Sequence, residues 1–287
     1  MKITLIGTGL MGRPMTVRLL QAGHEVTVFN RTKEKAWPLA ALGAKVADSA
    51  QEAIKASPVT VLIVADAPAC EAVLFPSGSA FDLKNRTIIQ MGTISPQQSL
   101  DLAQMVARAG GAYLEAPVLG SIAEAEKGEL VVLVGATEEQ FQQYFSLLRC
   151  FSPEPVYVGP VGQAAAFKLA LNQLIASLTA CFAFSLGIIK KRGVPREKFM
   201  EVLRRTSLYA YHFDKKLNRM WQADYAQPTF PLRLLYKDVS LMIEEAESLG
   251  LETAGLAGMQ RIIKKAMDLG WGEKDYTAIA SAIIEKL

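Results

Sequence analysis

The apolar positions in the first half of the chain form short runs that alternate with amphipathic stretches. Strand-like runs lie at residues 2–6, 25–29, 59–64, 87–90, 112–115, 130–134 and 156–158, and helical stretches lie between most of them. Continuous apolar strands separated by helices are typical of a parallel sheet covered on both faces. The pattern therefore predicts an α/β domain with a doubly wound parallel sheet over residues 1–160.

The second half of the chain has helical periodicity throughout. A long helix is predicted from Leu169 to Lys191, ended by Gly193, and further helices are predicted at 196–205, 211–221, 232–249, 252–269 and 275–286. Residues 161–287 are therefore predicted to form an all-helical domain, joined to the first domain by the long helix.

The first predicted strand runs directly into Gly7-Thr8-Gly9-Leu10-Met11-Gly12. This G-x-G-x-x-G pattern, between a strand and an amphipathic helix, is the fingerprint of dinucleotide-binding domains. Gly7 allows the tight turn, Gly9 lets the backbone approach a pyrophosphate, and Gly12 lets the helix pack closely. We expect this loop, including Leu10 and Met11, to bind a nicotinamide dinucleotide at the helix N-terminus.

The tip of the second strand carries Asn30-Arg31-Thr32, where an NAD site usually has an acidic residue that accepts from the ribose 2′-OH. A carboxylate would repel a 2′-phosphate, whereas a guanidinium can pair with it. We therefore predict NADP(H) as the cofactor, bound in part by Asn30, Arg31 and Thr32. The alternative interpretation of Arg31 is a solvated side chain before a helix capped by Thr32.

Composition excludes several classes of protein. The net charge of +3 is small and its cations are dispersed, which argues against a nucleic-acid partner. The two histidines are not in a metal-ligand pattern, and no metal is expected. Three widely spaced cysteines (Cys70, Cys150 and Cys181) are interpreted as reduced core residues of a cytoplasmic protein. The apolar N-terminus is interpreted as a strand rather than as a signal peptide.

The uncharged stretch from Leu169 to Ile189 is long enough to span a membrane. It nevertheless contains Asn172, Gln173 and several hydroxyl residues, and it follows a complete nucleotide-binding pattern. An apolar helix buried between domains or subunits has the same composition. We favour the buried helix and expect no membrane partner.

Lys168 and Asn172 lie four residues apart at the start of the long helix, so they share one helix face. The neighbouring residues are apolar, and partial desolvation would lower the pKa of a lysine in this position. Such a lysine can donate a proton to a carbonyl oxygen while a hydride reaches the carbon. A lysine that extends to solvent at a helix end is the alternative interpretation.

These motifs resemble those of the β-hydroxyacid dehydrogenases along essentially the whole chain. The similar segments are the glycine loop with Met15, residues 23–32, Gly92-Thr93-Ile94-Ser95-Pro96, Ala116-Pro117-Val118-Leu119-Gly120, residues 162–172 and Lys237-Asp238. The family includes 3-hydroxyisobutyrate dehydrogenase, tartronate semialdehyde reductase and glyoxylate/succinic semialdehyde reductase. The resemblance implies a Rossmann domain, an all-α domain, a homodimer or homotetramer, and a small carboxylate-bearing aldehyde or hydroxy acid as substrate.

The resemblance also implies roles for individual residues. Lys168 would be the catalytic lysine and Asn172 its supporting amide, both in contact with the substrate. Thr93 and Lys237 would bind the cofactor. The implied substrate site further includes Ser95, Gly120, Ser121 and Asp238.

One departure from the family pattern lies in the substrate loop. The family often has Ser-Gly-Gly where this chain has Leu119-Gly120-Ser121, so Ser121 or the backbone alone would hold the substrate carboxylate. Together with Arg31, the Gly120-Ser121 pair favours the glyoxylate/succinic semialdehyde reductases. The alternatives are a 3-hydroxyisobutyrate-type dehydrogenase working in the oxidative direction and a cofactor-binding scaffold without activity.

Overall fold

The computed structural model describes residues 1–76 and 82–284. It divides into two compact units, one from Met1 to Lys168 and the other from Leu169 onward. The predicted domain limits, 1–160 and 161–287, meet a few residues before this division. Each unit has its own apolar clusters and is described separately.

The first unit contains a mixed sheet that is mainly parallel. Its strands in the described residues are β1 (Lys2–Ile6), β2 (Glu25–Phe29), β3 (Lys45–Val46), β4 (Val59–Leu62), β5 (Thr87–Gln90), β6 (Ala112–Glu115), β7 (Val118–Leu119), β8 (Val131–Gly135) and β9 (Val156–Gly159). The order is β3-β2-β1-β4-β5-β6-β8-β7, with β9 paired to β8.

Most strands of this sheet are parallel, as the alternating pattern predicts. The sheet is mixed at one edge, where β8 runs antiparallel to β6 and β7. A short connection explains the reversal: β7 and β8 are joined through the six-residue helix α6 (Ile122–Lys127), too short for the crossover that parallel strands need. The two-residue strands β3 and β7 were not predicted, because so few residues carry no readable alternation.

Helices connect these strands and place apolar faces on the sheet. They are α1 (Gly12–Gln21), α2 (Trp37–Ala40), α3 (Ala50–Ala56), α4 (Ala67–Leu74), α5 (Pro96–Arg108), α6 and α7 (Glu138–Leu148). Ser49 and Ser95 cap α3 and α5 through their side chains. A serine directly before a helical stretch is a sequence pattern that predicts such a cap. Successive strand residues serve opposite faces: Val61 belongs to one buried cluster and Leu62 to the other.

The second unit is built from helices. Helix α8 (Gln163–Lys191) begins at the end of the first unit, and it is followed by α9 (Arg196–Leu203), α10 (Tyr211–Gln222), α11 (Leu232–Ser248), α12 (Ala254–Ala266) and α13 (Ile279–Ile284). A π-helical turn at Met267–Trp271 and a 3-10 turn at Tyr276–Ala278 lie between the last two.

The predicted helices all exist, with three corrections. Helix α8 begins at Gln163 rather than Leu169, because a distant side chain caps its first turn. The helix predicted at 252–269 ends at Ala266, and Gly270 (φ +90°) breaks the π-helical turn that follows. The helix predicted at 275–286 is a 3-10 turn followed by α13, and its predicted last residues lie outside the described ones.

Within the described residues, α8 is the one helix that satisfies the length and hydropathy of a membrane span, and 44% of its most apolar window is buried. A buried core helix satisfies the same criteria. Cys70 and Cys150 are buried, as predicted, but Cys181 on α8 is exposed. The expectation that Cys181 lies in the core was wrong, because it falls on the outward face of this helix.

Candidate active site

The glycine loop after β1 has the conformation that its sequence requires. Gly7 has φ +103°, and a Cβ there would lie 2.3 Å from the carbonyl oxygen of Ile63. A Cβ at Gly12 would lie 1.8 Å from the carbonyl oxygen of Gly7. These two glycines are therefore needed for the fold of the loop itself, whether or not a ligand is bound.

Gly9 differs from its two neighbours, because a Cβ there would meet no heavy atom of the described residues within 4 Å. The fold alone does not require a glycine at this position, whereas a ligand approaching the backbone does. The first turn of α1 has no acidic residue and no side-chain cap at Met11. In this turn the N–H groups of Arg13 and Met15 donate to the Gly9 and Met11 carbonyls, and Pro14 has none. The positive end of the helix and the open backbone at Gly9 still fit the pyrophosphate of a dinucleotide.

Two further features of the loop agree with this fit. The Thr8 hydroxyl is buried and has no hydrogen-bond partner among the described residues. The Leu10 side chain is exposed, and Met11 is half-buried. A buried hydroxyl without a partner is costly, and it marks a position where a polar ligand atom would be accepted.

The tip of β2 uses Asn30 to hold the glycine loop. Asn30 Oδ1 accepts from the Thr8 N–H at 3.0 Å, and Asn30 Nδ2 donates to the Thr32 carbonyl at 2.8 Å. An aspartate could not donate the second bond, so the amide has a structural reason that is independent of the cofactor. Arg31 is exposed and makes no ion pair or hydrogen bond with the described residues.

Thr32 occupies the cap position of the short 3-10 turn Lys33–Lys35, but its side chain makes no capping bond. The alternative interpretation, in which Thr32 caps a helix after a solvated arginine, is wrong in this respect. Thr32 contributes its carbonyl oxygen to Asn30 instead. Its exposed side chain lies beside Arg31 in the chain.

The segment after β5 contains Thr93 and Ser95. Thr93 is half-buried. Ser95 is buried, and its hydroxyl accepts from the Gln98 N–H at 3.2 Å while the Gln98 side chain accepts from the Ser95 N–H at 3.0 Å. The structure therefore gives Ser95 a capping role at α5, and its predicted contact with substrate stays a prediction.

The loop that was expected to bind the substrate carboxylate already holds a carboxylate. Gly120 has φ +127°, and Ser121 follows it at the start of α6. The Ser121 N–H donates to Glu124 Oε2 at 2.8 Å, and the Ser121 hydroxyl bonds to the same oxygen. Ser121 can therefore join a substrate site only if Glu124 releases these two donors.

Four polar residues of the predicted site lie on α8 and α11. Lys168 and Asn172 are buried, one helical turn apart on α8. Asn172 Nδ2 donates to Asp238 Oδ2 at 2.8 Å, and Lys237 Nζ lies 2.8 Å from Asp238 Oδ1. Asp238 is buried, and its Oδ2 fixes the Asn172 amide through a hydrogen bond. Its Oδ1 pairs with the Lys237 ammonium group by charge and accepts no hydrogen bond from the described residues. These contacts give Asp238 a supporting role in addition to its predicted role in the substrate site.

Sequence reasoning missed Glu115, a buried carboxylate at the end of β6. It accepts hydrogen bonds from three backbone N–H groups at the start of α8 and from Ser99. An acidic residue at the end of an otherwise apolar, buried strand was the available signal, since such a residue is buried only with partners.

Comparison with known proteins places this arrangement in a family. Residues 2–159 match the model of the NAD-binding domain of 6-phosphogluconate dehydrogenase, and residues 162–283 match the NAD-binding domain of NADP-dependent 3-hydroxyisobutyrate dehydrogenase. The chain belongs to the β-hydroxyacid dehydrogenase family. It is therefore an NAD(P)-dependent oxidoreductase that acts as a hydroxyacid dehydrogenase.

Individual relatives agree with this assignment. Glyoxylate/succinic semialdehyde reductase 1 of Arabidopsis thaliana is 29% identical over 99% of this chain and 98% of its own length. The chloroplastic reductase 2 of the same plant is 31% identical over 98% of this chain and 79% of its own. The crystal structure of 3-hydroxyisobutyrate dehydrogenase from Salmonella typhimurium has a TM-score of 0.87, covering 98% and 99% of the two chains at 21% identity. That structural likeness concerns the fold alone.

Proposed function

We propose that this β-hydroxyacid dehydrogenase is an NADPH-dependent reductase of small aldehyde or keto acids, with glyoxylate and succinic semialdehyde as candidate substrates. The observation that carries the proposal is the buried Lys168 one turn before Asn172, whose amide is fixed by Asp238. The two plant relatives named as glyoxylate/succinic semialdehyde reductases support the substrate class.

Lys168 is proposed as the general acid. The bound nicotinamide would supply the hydride that reaches the carbonyl carbon of the substrate. The Lys168 ammonium group gives one proton to the carbonyl oxygen, which completes the hydroxyl group and leaves a neutral amine for water to reprotonate. General acid catalysis of this kind accelerates a reaction by roughly 10²–10⁴-fold. Asn172, held in one orientation by Asp238, donates or accepts beside it.

Arg31 supports NADPH over NADH. Its guanidinium is exposed directly after the tip of β2, the place where residues of this fold contact the ribose 2′ position of the cofactor. A 2′-phosphate would pair with it through charge-assisted hydrogen bonds. Because Asn30 is committed to Thr8 and Thr32, the cofactor preference is assigned to Arg31 rather than to the absence of an acid at position 30.

Two alternatives predict different results. A 3-hydroxyisobutyrate-type dehydrogenase would oxidise a β-hydroxy acid, and the match of residues 162–283 to a 3-hydroxyisobutyrate dehydrogenase model favours this candidate. A scaffold without activity would bind the cofactor and turn over nothing. The presence of both Lys168 and Asn172 argues against the scaffold.

The test is a substrate panel with purified protein. Glyoxylate, succinic semialdehyde, methylmalonate semialdehyde and tartronate semialdehyde are each mixed with NADPH, and the loss of NADPH absorbance is followed. We expect saturable turnover of at least one aldehyde acid. Turnover confined to hydroxy acids with an oxidised cofactor would support the dehydrogenase alternative, and no turnover in either direction would support the scaffold.

A further inference from the structure

Glu115 is a buried carboxylate of the first unit that the proposed mechanism leaves unused. It ends strand β6, is 1% exposed, and lies 47 to 50 residues before the helix that it contacts. A carboxylate in this environment costs folding free energy unless several donors surround it. Its contacts therefore indicate which interactions offset the cost of burying this carboxylate.

Those contacts are hydrogen bonds from backbone N–H groups at the start of α8, which have no partner within the helix itself. Glu115 Oε1 accepts from Gly162 at 2.8 Å, from Ala164 at 2.8 Å and from Ala165 at 3.1 Å. Helices usually satisfy these groups with a Ser, Thr, Asp or Asn at the cap itself. Here the cap position is Gly162, with φ +100°, and a distant strand supplies the capping oxygen.

The surroundings hold the carboxylate in one orientation. Ser99 donates its hydroxyl proton to Glu115 Oε2, and the Tyr113 hydroxyl lies 2.9 Å from Ser99 Oγ. Gly135, opposite Glu115 in the antiparallel pair of β6 and β8, leaves the necessary space. A Cβ at Gly135 would lie 2.3 Å from Glu115 Oε1.

Lys168 lies one turn further along the same helix. Ala164 and Ala165 precede it by four and three residues, so all three share one helix face. The bonds to Glu115 fix the rotation and axial position of this first turn relative to β6. The direction in which Lys168 leaves the helix is thereby fixed as well.

We propose that Glu115 is a positioning residue for the hydride-transfer reaction, which acts by anchoring the first turn of α8 and thereby aiming Lys168. The inference rests on the proposed role of Lys168 as the general acid. It requires a hydrogen-bond acceptor at position 115 rather than a negative charge. A misplacement of a catalytic group by about 1 Å can lower a rate by about 10²-fold.

The test compares two substitutions at this residue. Glu115→Ala removes the acceptor, and we expect kcat to fall roughly 10–100-fold while the Kd for NADPH stays unchanged. Glu115→Gln keeps Oε1 as the acceptor, and we expect kcat within a few-fold of wild type. Burial raises the pKa of the Glu115 carboxyl, so the neutral amide avoids the cost of holding a charge in this environment.

Two further variants separate positioning from general loss of stability. Gly135→Ala displaces the carboxylate without altering any charge, and it should reproduce the loss of kcat. Thr137→Ala removes an ordinary side-chain cap from α7 in the same unit, and it should leave kcat unchanged. The inference is wrong if Glu115→Ala keeps kcat within twofold, or if Glu115→Gln loses as much as Glu115→Ala.

A double variant distinguishes this inference from the proposed function. If Glu115 acts through Lys168, Lys168→Ala with Glu115→Ala should be no slower than Lys168→Ala alone. A fully active Lys168→Ala variant would overturn the proposed function itself. An inactive Lys168→Ala variant together with an unaffected Glu115→Ala variant would overturn only the role of Glu115.

Discussion

At the scale of single residues, Lys168 is the side chain on which the proposed chemistry depends. Lys168→Ala removes the proton donor, and we expect kcat to fall at least about 100-fold with the Kd for NADPH nearly unchanged. The measurement is steady-state kinetics together with cofactor titration. Lys191→Ala, an exposed lysine of the same helix, is the matched control. Near-normal turnover by the Lys168 variant would exclude this lysine as the acid.

Arg31 is the residue that decides the proposed cofactor preference. Arg31→Asp replaces a phosphate partner with a like charge, so the Kd for NADPH should rise about tenfold or more and that for NADH much less. Both values are obtained by titration of cofactor fluorescence. Lys35→Asp, an exposed charge reversal nearby, serves as the control. Equal weakening of both cofactors would mean that Arg31 does not contact the 2′-phosphate.

At the scale of elements, two glycines of the β1–loop–α1 segment have different roles, because the fold requires Gly12 but does not require Gly9. Gly12→Ala places a Cβ 1.8 Å from a backbone oxygen, so we expect a large loss of thermal stability. Gly9→Ala meets no described atom within 4 Å, so its melting temperature should stay near wild type while cofactor affinity falls. Thermal melts with and without NADPH measure both effects. A Gly9→Ala variant with normal affinity would show that no ligand approaches this backbone.

Helix α8 carries an apolar stripe on its exposed face, defined by Leu174, Cys181, Phe184 and Ile188. The intervals of seven, three and four residues are those of a helix-pairing seam. We propose that a second copy of the chain covers this stripe. Phe184→Glu should then convert a dimer or tetramer to a smaller species in sedimentation equilibrium, and Gln222→Glu, outside the stripe, should not. A wild-type protein that is monomeric at all concentrations would contradict the proposal.

At the scale of the whole molecule, the two units should respond differently to acid. In the second unit, burial and the nearby Lys216 and Lys215 lower the pKa of His212 to about 4 from 6.5. His212 stays neutral in the folded unit, with its ring 2.9 Å from Thr179 Oγ1. The unfolded chain binds a proton below pH 6.5, so the stability that His212 contributes is lost as the pH falls from 6.5 to about 4. In the first unit, burial raises the pKa of the Glu115 carboxyl. The stability that Glu115 contributes therefore changes in the opposite direction and increases as the pH falls.

The measurement is the melting temperature of wild type and His212→Gln between pH 7.5 and 4. We expect the variant to show a smaller decrease over this interval, and hydrogen exchange should place the acid-sensitive opening in the second unit. The difference at pH 7.5, where the ring is neutral in both states, reports packing alone. Identical pH profiles for the two proteins would refute the assignment to His212.

Local patterns determined much of this protein. The glycine loop, the strands β1, β2 and β4 to β6, the caps at Ser49 and Ser95 and the helices of the second unit could be predicted, because each depends on residues within a few positions. The family could be predicted because its motifs occur in the same order along this chain. The placement of Lys168 with Asn172 on one helix face also followed from spacing alone.

Tertiary structure alone decided the contacts between distant segments. The Asn172–Asp238 bond and the Glu115 cap of α8 each depend on where a buried polar group finds its partner. A buried donor or acceptor must be satisfied, but the chain does not encode locally which distant residue satisfies it. The sequence thus determined which chemical groups are present, and the fold determined which of them hold one another in place.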